Sequence, residues 1–346
     1  MNKPKNKNEF TLVKKLQEHV YRILLLSDGR LSSQYDLTIK IHNKDDLDKI
    51  DISIKSERQI ADYLELTDKS VMTIMVIVAK YGFNIYKVFG KAYSLKYSIK
   101  MNDFYLFKVI ELKLNFLISC NHLEQDKCEL TLWEFKDKND KNNKYIKASS
   151  IKVAKSEIPT GMDLIKIADD KIVTVMGRQN TRVQFWLIDN YTFKNYSTLT
   201  NIELPLGLFL YDKNTLFIGN SSGFINIINI NTTQVTAKFK YAEGNFNSNW
   251  VTSLIKLSNG NIVFAYTNFN SNKIGKSHKY YLVEYEFGKE VKKIRSKVNC
   301  HVNAISTIVE LKNGCIATSG CDSIKIWKQT ISKVLCFIRL LCYILL

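Results

Sequence analysis

Hydrophobic and polar positions alternate along most of this chain in short runs separated by polar turns, a pattern typical of β-strands. One unit recurs, in which an apolar strand, a short polar turn, a second apolar strand, a loop and a third alternating strand follow one another. The clearest copies are HVYRILLLSDGRLSSQYDLTIKIH at 19–42 and HVNAISTIVELKNGCIATSGCDSIKIW at 301–327. Weaker copies lie at 59–88, 104–135, 162–189, 204–230 and 250–287.

The polar turns between the first two strands of each unit lie near residues 28, 68, 113, 170, 213, 260 and 313. Their spacing, roughly 40 to 57 residues, is close to the length of a four-stranded propeller blade. A further short segment after each third strand, such as QVTAKFK at 234–240, supplies the fourth strand. The pattern therefore predicts an all-β propeller with seven four-stranded blades, with six or eight blades as the alternatives.

The first and last units resemble WD repeats. A blade of that family has a His near the start of its first strand, a Ser or Thr in the second, an Asp in the following turn and a Trp in the third. In that family the four side chains form a buried hydrogen-bonded network. The resemblance implies such a network of His301, Thr318, Asp322 and Trp327 in the last blade, and of His19, Ser33 and Asp36 in the first, with His42 in the place of Trp.

The resemblance is divergent in the other units. The third and fourth blades keep only the aromatic residue, Trp133 and Trp186, and the Trp-Asp dipeptide that closes a blade in the family does not occur. The match covers nearly the whole chain by periodicity but only two blades by motif. It therefore identifies the chain as a divergent WD-repeat β-propeller and assigns no subfamily.

The two ends of the chain compete for one position. Residues 1–9 form a basic tail, 10–330 are assigned to a single propeller, and 331–346 (ISKVLCFIRLLCYILL) form an apolar tail too short to span a membrane unaided. FTLVKKL at 10–16 and KVLCFIRL at 333–340 both have the pattern of the strand that completes the last blade. The family habit, in which the N-terminal strand closes the ring, favours 10–16.

The net charge is +17, nearly all from Lys, and the charge is not concentrated in any one run of the sequence. A coding sequence biased towards A and T would produce this composition whatever the function. A functional reading of the charge would be binding to RNA or to an anionic membrane surface.

No pattern in the sequence predicts catalysis or a cofactor. Glycine-rich phosphate loops, HExxH and GxSxG are absent, and the seven Cys include no CxxC pair, so we expect no enzymatic activity, no cofactor and no metal. The odd number of Cys and the polar N-terminus predict an intracellular protein, cytoplasmic or nuclear, that is not secreted.

The resemblance implies a scaffold or adaptor that holds other proteins, with no small-molecule substrate. The loops between second and third strands help to shape the binding face in the family, and 121–128, 178–182, 220–223 and 268–278 are the corresponding loops here. Arg178 and Arg182 flank one of them and suit an acidic peptide segment, while Trp250 opens the sixth blade. The alternative function is a basic propeller that binds RNA or an anionic membrane.

Overall fold

The computed structural model describes most of the chain as β-strands and short turns. The described residues are 9–16, 19–67, 73–79, 82–101, 105–123, 127–136, 144–155, 163–176, 182–200, 202, 205–241, 249–268, 278–288 and 291–330. The predicted apolar tail at 331–346 and nearly all of the basic tail at 1–9 lie outside them. Among these residues, none forms a helix with the length and apolar character needed to cross a membrane.

The strands follow one another along the chain with short connections. In chain order they are β1 (Glu9–Leu16), β2 (Arg22–Leu25), β3 (Leu31–Tyr35), β4 (Thr38–His42), β5 (Ile50–Lys55), β6 (Ile60–Leu66), β7 (Thr73–Ala79), β8 (Gly82–Phe89), β9 (Ala92–Lys100), β10 (Tyr105–Lys113), β11 (Phe116–Leu123), β12 (Lys127–Lys136), β13 (Lys144–Lys155), β14 (Asp163–Ala168), β15 (Lys171–Met176), β16 (Arg182–Asp189), β17 (Thr192–Leu199), β18 (Pro205–Asp212), β19 (Thr215–Asn220), β20 (Phe224–Asn229), β21 (Gln234–Lys240), β22 (Asn249–Lys256), β23 (Ile262–Asn268), β24 (Lys279–Phe287), β25 (Val291–Val298), β26 (Ile305–Glu310), β27 (Ile316–Gly320) and β28 (Ser323–Thr330).

Within the described residues these strands form seven four-stranded sheets. Six of them follow the chain in order: β2-β3-β4-β5, β6-β7-β8-β9, β10-β11-β12-β13, β14-β15-β16-β17, β18-β19-β20-β21 and β22-β23-β24-β25. The seventh has the order β1-β28-β27-β26, with β1 antiparallel to β28 from Glu9 opposite Thr330 to Leu16 opposite Ile324. The N-terminal strand, one of the two candidates, thus takes the fourth position in the last sheet.

The chain divides into two compact units, one formed by Leu26–Val251 and the other by Met1–Leu25 with Thr252–Leu346. In the Leu26–Val251 unit the first strands of neighbouring sheets pack together: β6 on β10, β10 on β14 and β14 on β18. In the other unit β2 packs on β26, and β1 packs on β25. We call β2, β6, β10, β14, β18, β22 and β26 the inner strands of the seven sheets. The strands at the opposite edges, β5, β9, β13, β17, β21, β25 and β1, are their outer strands.

The hydrophobic core lies between consecutive sheets. Second strands are buried along their length, as in β19 (TLFIGN) and β27 (IATSG), because both of their faces meet a neighbouring sheet. One buried cluster joins Leu112, Ile118 and Leu132 of the third sheet to Leu164 and Trp186 of the fourth. Outer strands such as β21 (QVTAKFK) are exposed over most of their length. The burial pattern therefore changes from continuous apolar strands inside to polar strands outside.

Neighbouring sheets are also joined by a repeated polar contact. In three places the Glu at the end of an inner strand accepts bonds from the backbone N–H and the hydroxyl of a Ser or Thr in the first turn of the preceding sheet. The pairs are Glu65 with Ser27 (2.8 and 2.6 Å), Glu111 with Thr67 (2.7 and 2.5 Å), and Glu310 with Ser258 (2.7 and 2.8 Å). Two charge-assisted bonds from one turn hold each pair of sheets in register.

Candidate functional site

The last sheet contains a continuous hydrogen-bonded chain of four side chains. Trp327 Nε1 lies 2.8 Å from Thr318 Oγ1, Thr318 Oγ1 lies 2.7 Å from His301 Nε2, and His301 Nδ1 lies 2.7 Å from Asp322 Oδ1. Lys325 Nζ adds an ion pair at 3.2 Å to the second carboxylate oxygen of Asp322. The structure thus brings together all four residues that the WD-repeat resemblance assigned to the last blade.

One assignment of protons satisfies the whole chain when His301 is neutral. Trp327 Nε1–H donates to the Thr318 oxygen, the Thr318 hydroxyl donates to His301 Nε2, and His301 Nδ1–H donates to the Asp322 carboxylate. Each donor then has an acceptor, which is the condition for a buried polar network to stabilise a fold.

The ionisation of the two titrating groups agrees with this assignment. Burial lowers the pKa of His301, although its hydrogen bond to Asp322 acts in the opposite direction. Burial by itself would raise the pKa of Asp322, but its hydrogen bonds from His301, Ser323 and Lys325 outweigh burial and lower it to about 2. At neutral pH the network therefore holds a neutral imidazole and a charged carboxylate.

Gly320 makes room for this network. A Cβ atom on Gly320 would lie 2.7 Å from His301 Nδ1 and 3.0 Å from Asp322 Oδ1, closer than real Cβ contacts. Any side chain at this position would displace the imidazole or the carboxylate. Glycine is therefore required here by the close approach of polar atoms.

Part of the network recurs in two other sheets. Trp133 Nε1 donates to Ser119 Oγ at 2.8 Å, and Trp186 Nε1 donates to Thr174 Oγ1 at 3.0 Å. The sequence had indicated only the aromatic residue in these units. The position of the hydroxyl residue, which the sequence analysis missed, follows a rule. In each case it lies two residues after the second-strand residue that pairs with the Trp.

The network expected in the first blade is wrong in two of its residues. Ser33 Oγ lies 2.8 Å from His42 Nε2, so His42 does take the place of Trp, but His19 and Asp36 are both exposed. The strand pairings explain the difference. Ser33 corresponds to Thr318, which aligns Tyr35 with Gly320 and puts Asp36 one residue before the position of Asp322. A tyrosine at the position that must be glycine, and a displaced carboxylate, cannot rebuild the His-Asp pair.

The network of the last sheet offers no reactive group to a substrate. A hydroxyl beside an imidazole beside a carboxylate has the composition of an acyl-transfer triad. Thr318, however, is 0 % exposed and its oxygen already accepts the Trp327 N–H. The arrangement stabilises the sheet. In the part of the chain that the structure describes, His, Cys, Asp and Glu side chains form no group of three or more suited to a metal ion.

Trp250 lies in a different setting, where the fifth sheet meets the start of β22. Ser222 forms a parallel bridge with Asn249, and the Asn249 backbone N–H donates to the Ser221 carbonyl at 3.3 Å. Asn249 is 0 % exposed, whereas Trp250 is 41 % exposed. The turn between second and third strands of the fifth sheet therefore lies directly beside an exposed tryptophan.

Hydrogen bonds hold the backbone under Trp250 in place. The Tyr241 hydroxyl donates to the Asn220 carbonyl at 2.9 Å and also lies 3.4 Å from the Asn249 carbonyl. The Asn220 side-chain oxygen accepts the N–H groups of Ser222 at 3.1 Å and Phe224 at 2.9 Å, which fixes the turn. Because Trp250 follows a buried residue in this bonded frame, its backbone is held while its ring faces solvent. No sequence motif indicated Tyr241 or Asn249.

The two predicted arginines are only partly within the described residues. Arg182 begins β16, is exposed, and is followed by the fully buried Val183. Arg178 lies outside the described residues, as do 124–126, 178–181 and 269–277 from the loops predicted to shape a binding face.

Comparisons with known proteins support the fold by structure. No protein-family model matches the chain, and no curated protein matches it. Among solved structures, the WD40 β-propeller domain of Doa1 aligns with a TM-score of 0.60 at 15% identity, covering 92% of this chain and 95% of that one. The β-propeller domain of Cps50 (Swd1) from Myceliophteria thermophila aligns with a TM-score of 0.66 at 10% identity, covering 93% and 100%. At these identities the likeness shows the fold alone, and the predicted all-β propeller is confirmed.

Proposed function

We propose that this protein is a non-catalytic scaffold or adaptor that holds other proteins on the end of the sheets where second and third strands join. Its contact residues would include Arg178, Arg182 and Trp250. The WD40 propeller fold supports a protein-interaction role in general. The observation that carries the proposal is Trp250, a large exposed aromatic ring on a backbone fixed by Asn249 and Tyr241.

A tryptophan held in this way is suited to bind a partner. Tryptophan and arginine are enriched among the residues that supply most of the binding energy in protein interfaces. A ring whose backbone is already ordered loses little conformational freedom on binding, so more of the interaction energy remains as affinity. Arg182, at the start of a third strand, adds a cation that favours an acidic peptide segment as the partner.

Quantitative affinity purification with mass spectrometry tests this proposal. The tagged wild type is compared with Trp250→Ala, Arg182→Glu and the control Phe89→Ala, which removes a similarly exposed aromatic ring at the end of the third strand of the second sheet. We expect Trp250→Ala and Arg182→Glu to lose the same partners while Phe89→Ala keeps them. An identical set of partners for all four proteins would refute the proposed face.

We further propose an intracellular location, cytoplasmic or nuclear, because an odd number of cysteines favours reduced thiols. Fluorescence imaging of the tagged protein in its native cell tests it, and secretion of the protein into the medium would contradict it.

A further inference from the structure

The positive charge of this protein is concentrated on its outer strands. The seven outer strands β1, β5, β9, β13, β17, β21 and β25 carry sixteen Lys and Arg but only two acidic residues. The rest of the chain carries 34 basic and 31 acidic residues. The charge is thus spread along the sequence but gathered in the structure, because strands far apart in the sequence occupy equivalent positions in the sheets.

Five of these strands belong to the Leu26–Val251 unit, and they carry ten Lys against one acidic residue, Asp51. β5 contacts β9, β9 contacts β13, and β13 contacts β17, so four of these five basic strands are neighbours in space. We call these five strands the outer-strand surface. Its exposed lysines are Lys55, Lys100, Lys147, Lys152, Lys194, Lys238 and Lys240.

Three acidic residues lie near basic residues on or beside these strands. Asp51 lies 3.8 Å from Lys91, Lys147 pairs with Glu129 at 3.1 Å, and Lys194 pairs with Asp189 at 2.6 Å. Glu129 and Asp189 belong to third strands, and Asp51 is the single acidic residue of these five outer strands, so the balance of the outer strands stays strongly positive. The outer-strand surface therefore has the charge of a binding site for a polyanion.

Protection of sheet edges explains why some lysines lie on the outer strands, but it does not explain why basic residues so far outnumber acidic ones there. Charged side chains on an edge strand prevent it from pairing with other chains, and Lys is the favoured residue. Edge protection alone does not require acidic residues to be nearly excluded from all seven strands. The exclusion does follow if the surface binds phosphates, because each carboxylate would repel them.

We propose that the outer-strand surface binds single-stranded nucleic acid through its phosphates, without sequence specificity. Cations spread over several neighbouring strands fit an extended polyanion better than a compact anion. The basic residues are all lysines, which contact phosphates as point charges and lack the bidentate geometry that reads bases. Exposed Tyr93 and Tyr196 lie among them and offer rings on which bases stack. This binding goes beyond the proposed scaffold role and uses different residues.

Fluorescence anisotropy with a labelled 30-nucleotide oligouridylate tests the proposal across a range of salt concentrations. The test variant is Lys55→Gln/Lys100→Gln/Lys152→Gln on the outer-strand surface. The control, Lys213→Gln/Lys256→Gln/Lys312→Gln, removes the same charge from exposed lysines at other positions. Circular dichroism and the melting temperature confirm that both triple variants remain folded.

We expect the wild type and the control to bind with affinities that fall steeply with salt. The test variant should bind more weakly by on the order of tenfold, and its log–log salt slope should be smaller by about 2, since each phosphate contact to a single strand contributes about 0.7.

Three results would overturn the proposal. Equal weakening in the two variants would show only a dependence on net charge. Absence of binding by the wild type at low salt would leave edge protection as the role of the lysines. Binding to vesicles that contain phosphatidylserine, lost in the test variant, without binding to the oligonucleotide, would assign the surface to a membrane.

Discussion

Replacing Thr318 by Val tests the hydrogen-bonded network of the last sheet. Valine keeps the volume and branching of threonine but removes the hydroxyl that joins Trp327 to His301. The Trp327 N–H and the His301 Nε2 atom then remain buried without partners. Each such group costs about 1–3 kcal/mol, offset in part because a hydroxyl no longer has to be buried. We expect a loss of about 2–4 kcal/mol in the free energy of unfolding.

Urea unfolding followed by circular dichroism at pH 7.5 measures this loss, with Thr318→Ser as the matched control. Serine keeps the hydroxyl and removes one methyl group, which costs about 1 kcal/mol. If Thr318→Val is as stable as Thr318→Ser or more so, the hydroxyl does not hold the network together and the proton assignment given above is refuted. The double variant Thr318→Val/Trp327→Phe tests whether the two side chains are coupled. If its loss in the free energy of unfolding equals the sum of the losses of the two single variants, they are not coupled.

Further predictions concern pH, packing and closure of the last sheet. Burial lowers the pKa of His301 in the folded state, so the contribution of the neutral imidazole to stability is complete above the unfolded pKa of about 6.5 and is lost as the pH falls below that value. The melting temperature of the wild type should therefore drop between pH 7.5 and 5.5, and the melting temperature of His301→Gln should drop less. Gly320→Ala should lower the free energy of unfolding in urea by about 1–3 kcal/mol, because the added Cβ would meet His301. Gly288→Ala, with open space around the added Cβ, should change it little, and equal effects of the two substitutions would contradict the steric argument. Phe10→Ala on β1 removes a ring that is 1 % exposed and packs in the core of the last sheet, and should lower the free energy of unfolding by about 3–5 kcal/mol. Val13→Ala on the same strand removes part of a side chain that is 58 % exposed and should change it little. A neutral Phe10→Ala would show that β1 does not complete the sheet.

The repeat could be predicted from the sequence because each sheet is specified locally. Alternation of apolar and polar residues and the polar turns depend on residues that are close in the chain. Within the described residues the structure has first-to-second-strand turns at predicted places such as 169–170 and 213–214, whereas the place predicted near 68 lies outside them. The four residues of the last blade were also visible in advance, since His301 and Trp327 lie within one repeat. Local pattern was misleading in the first unit, where Asp36 is one residue out of register.

Contacts between distant segments were decided by the tertiary structure. Only the sheet pairing shows that β1 lies beside β28, because residues 10–16 and 333–340 have the same strand pattern in the sequence. The choice between them depends on contacts between residues more than 300 positions apart in the chain. The setting of Trp250 depends on Tyr241 and on a bridge to Ser222, neither of which leaves a periodic signal.

The charge distribution shows the same division. From the sequence, the lysines are scattered and the excess of +17 has no location. The fold gives every outer strand the same exposed position, so residues such as Lys55, Lys152 and Lys238, which are remote in the chain, lie on equivalent strands. Sequence by itself determined the strands and their repeat, which depend on near neighbours. Tertiary structure alone decided which strands complete a sheet and where the charge is concentrated, because both depend on how the repeats are arranged in space.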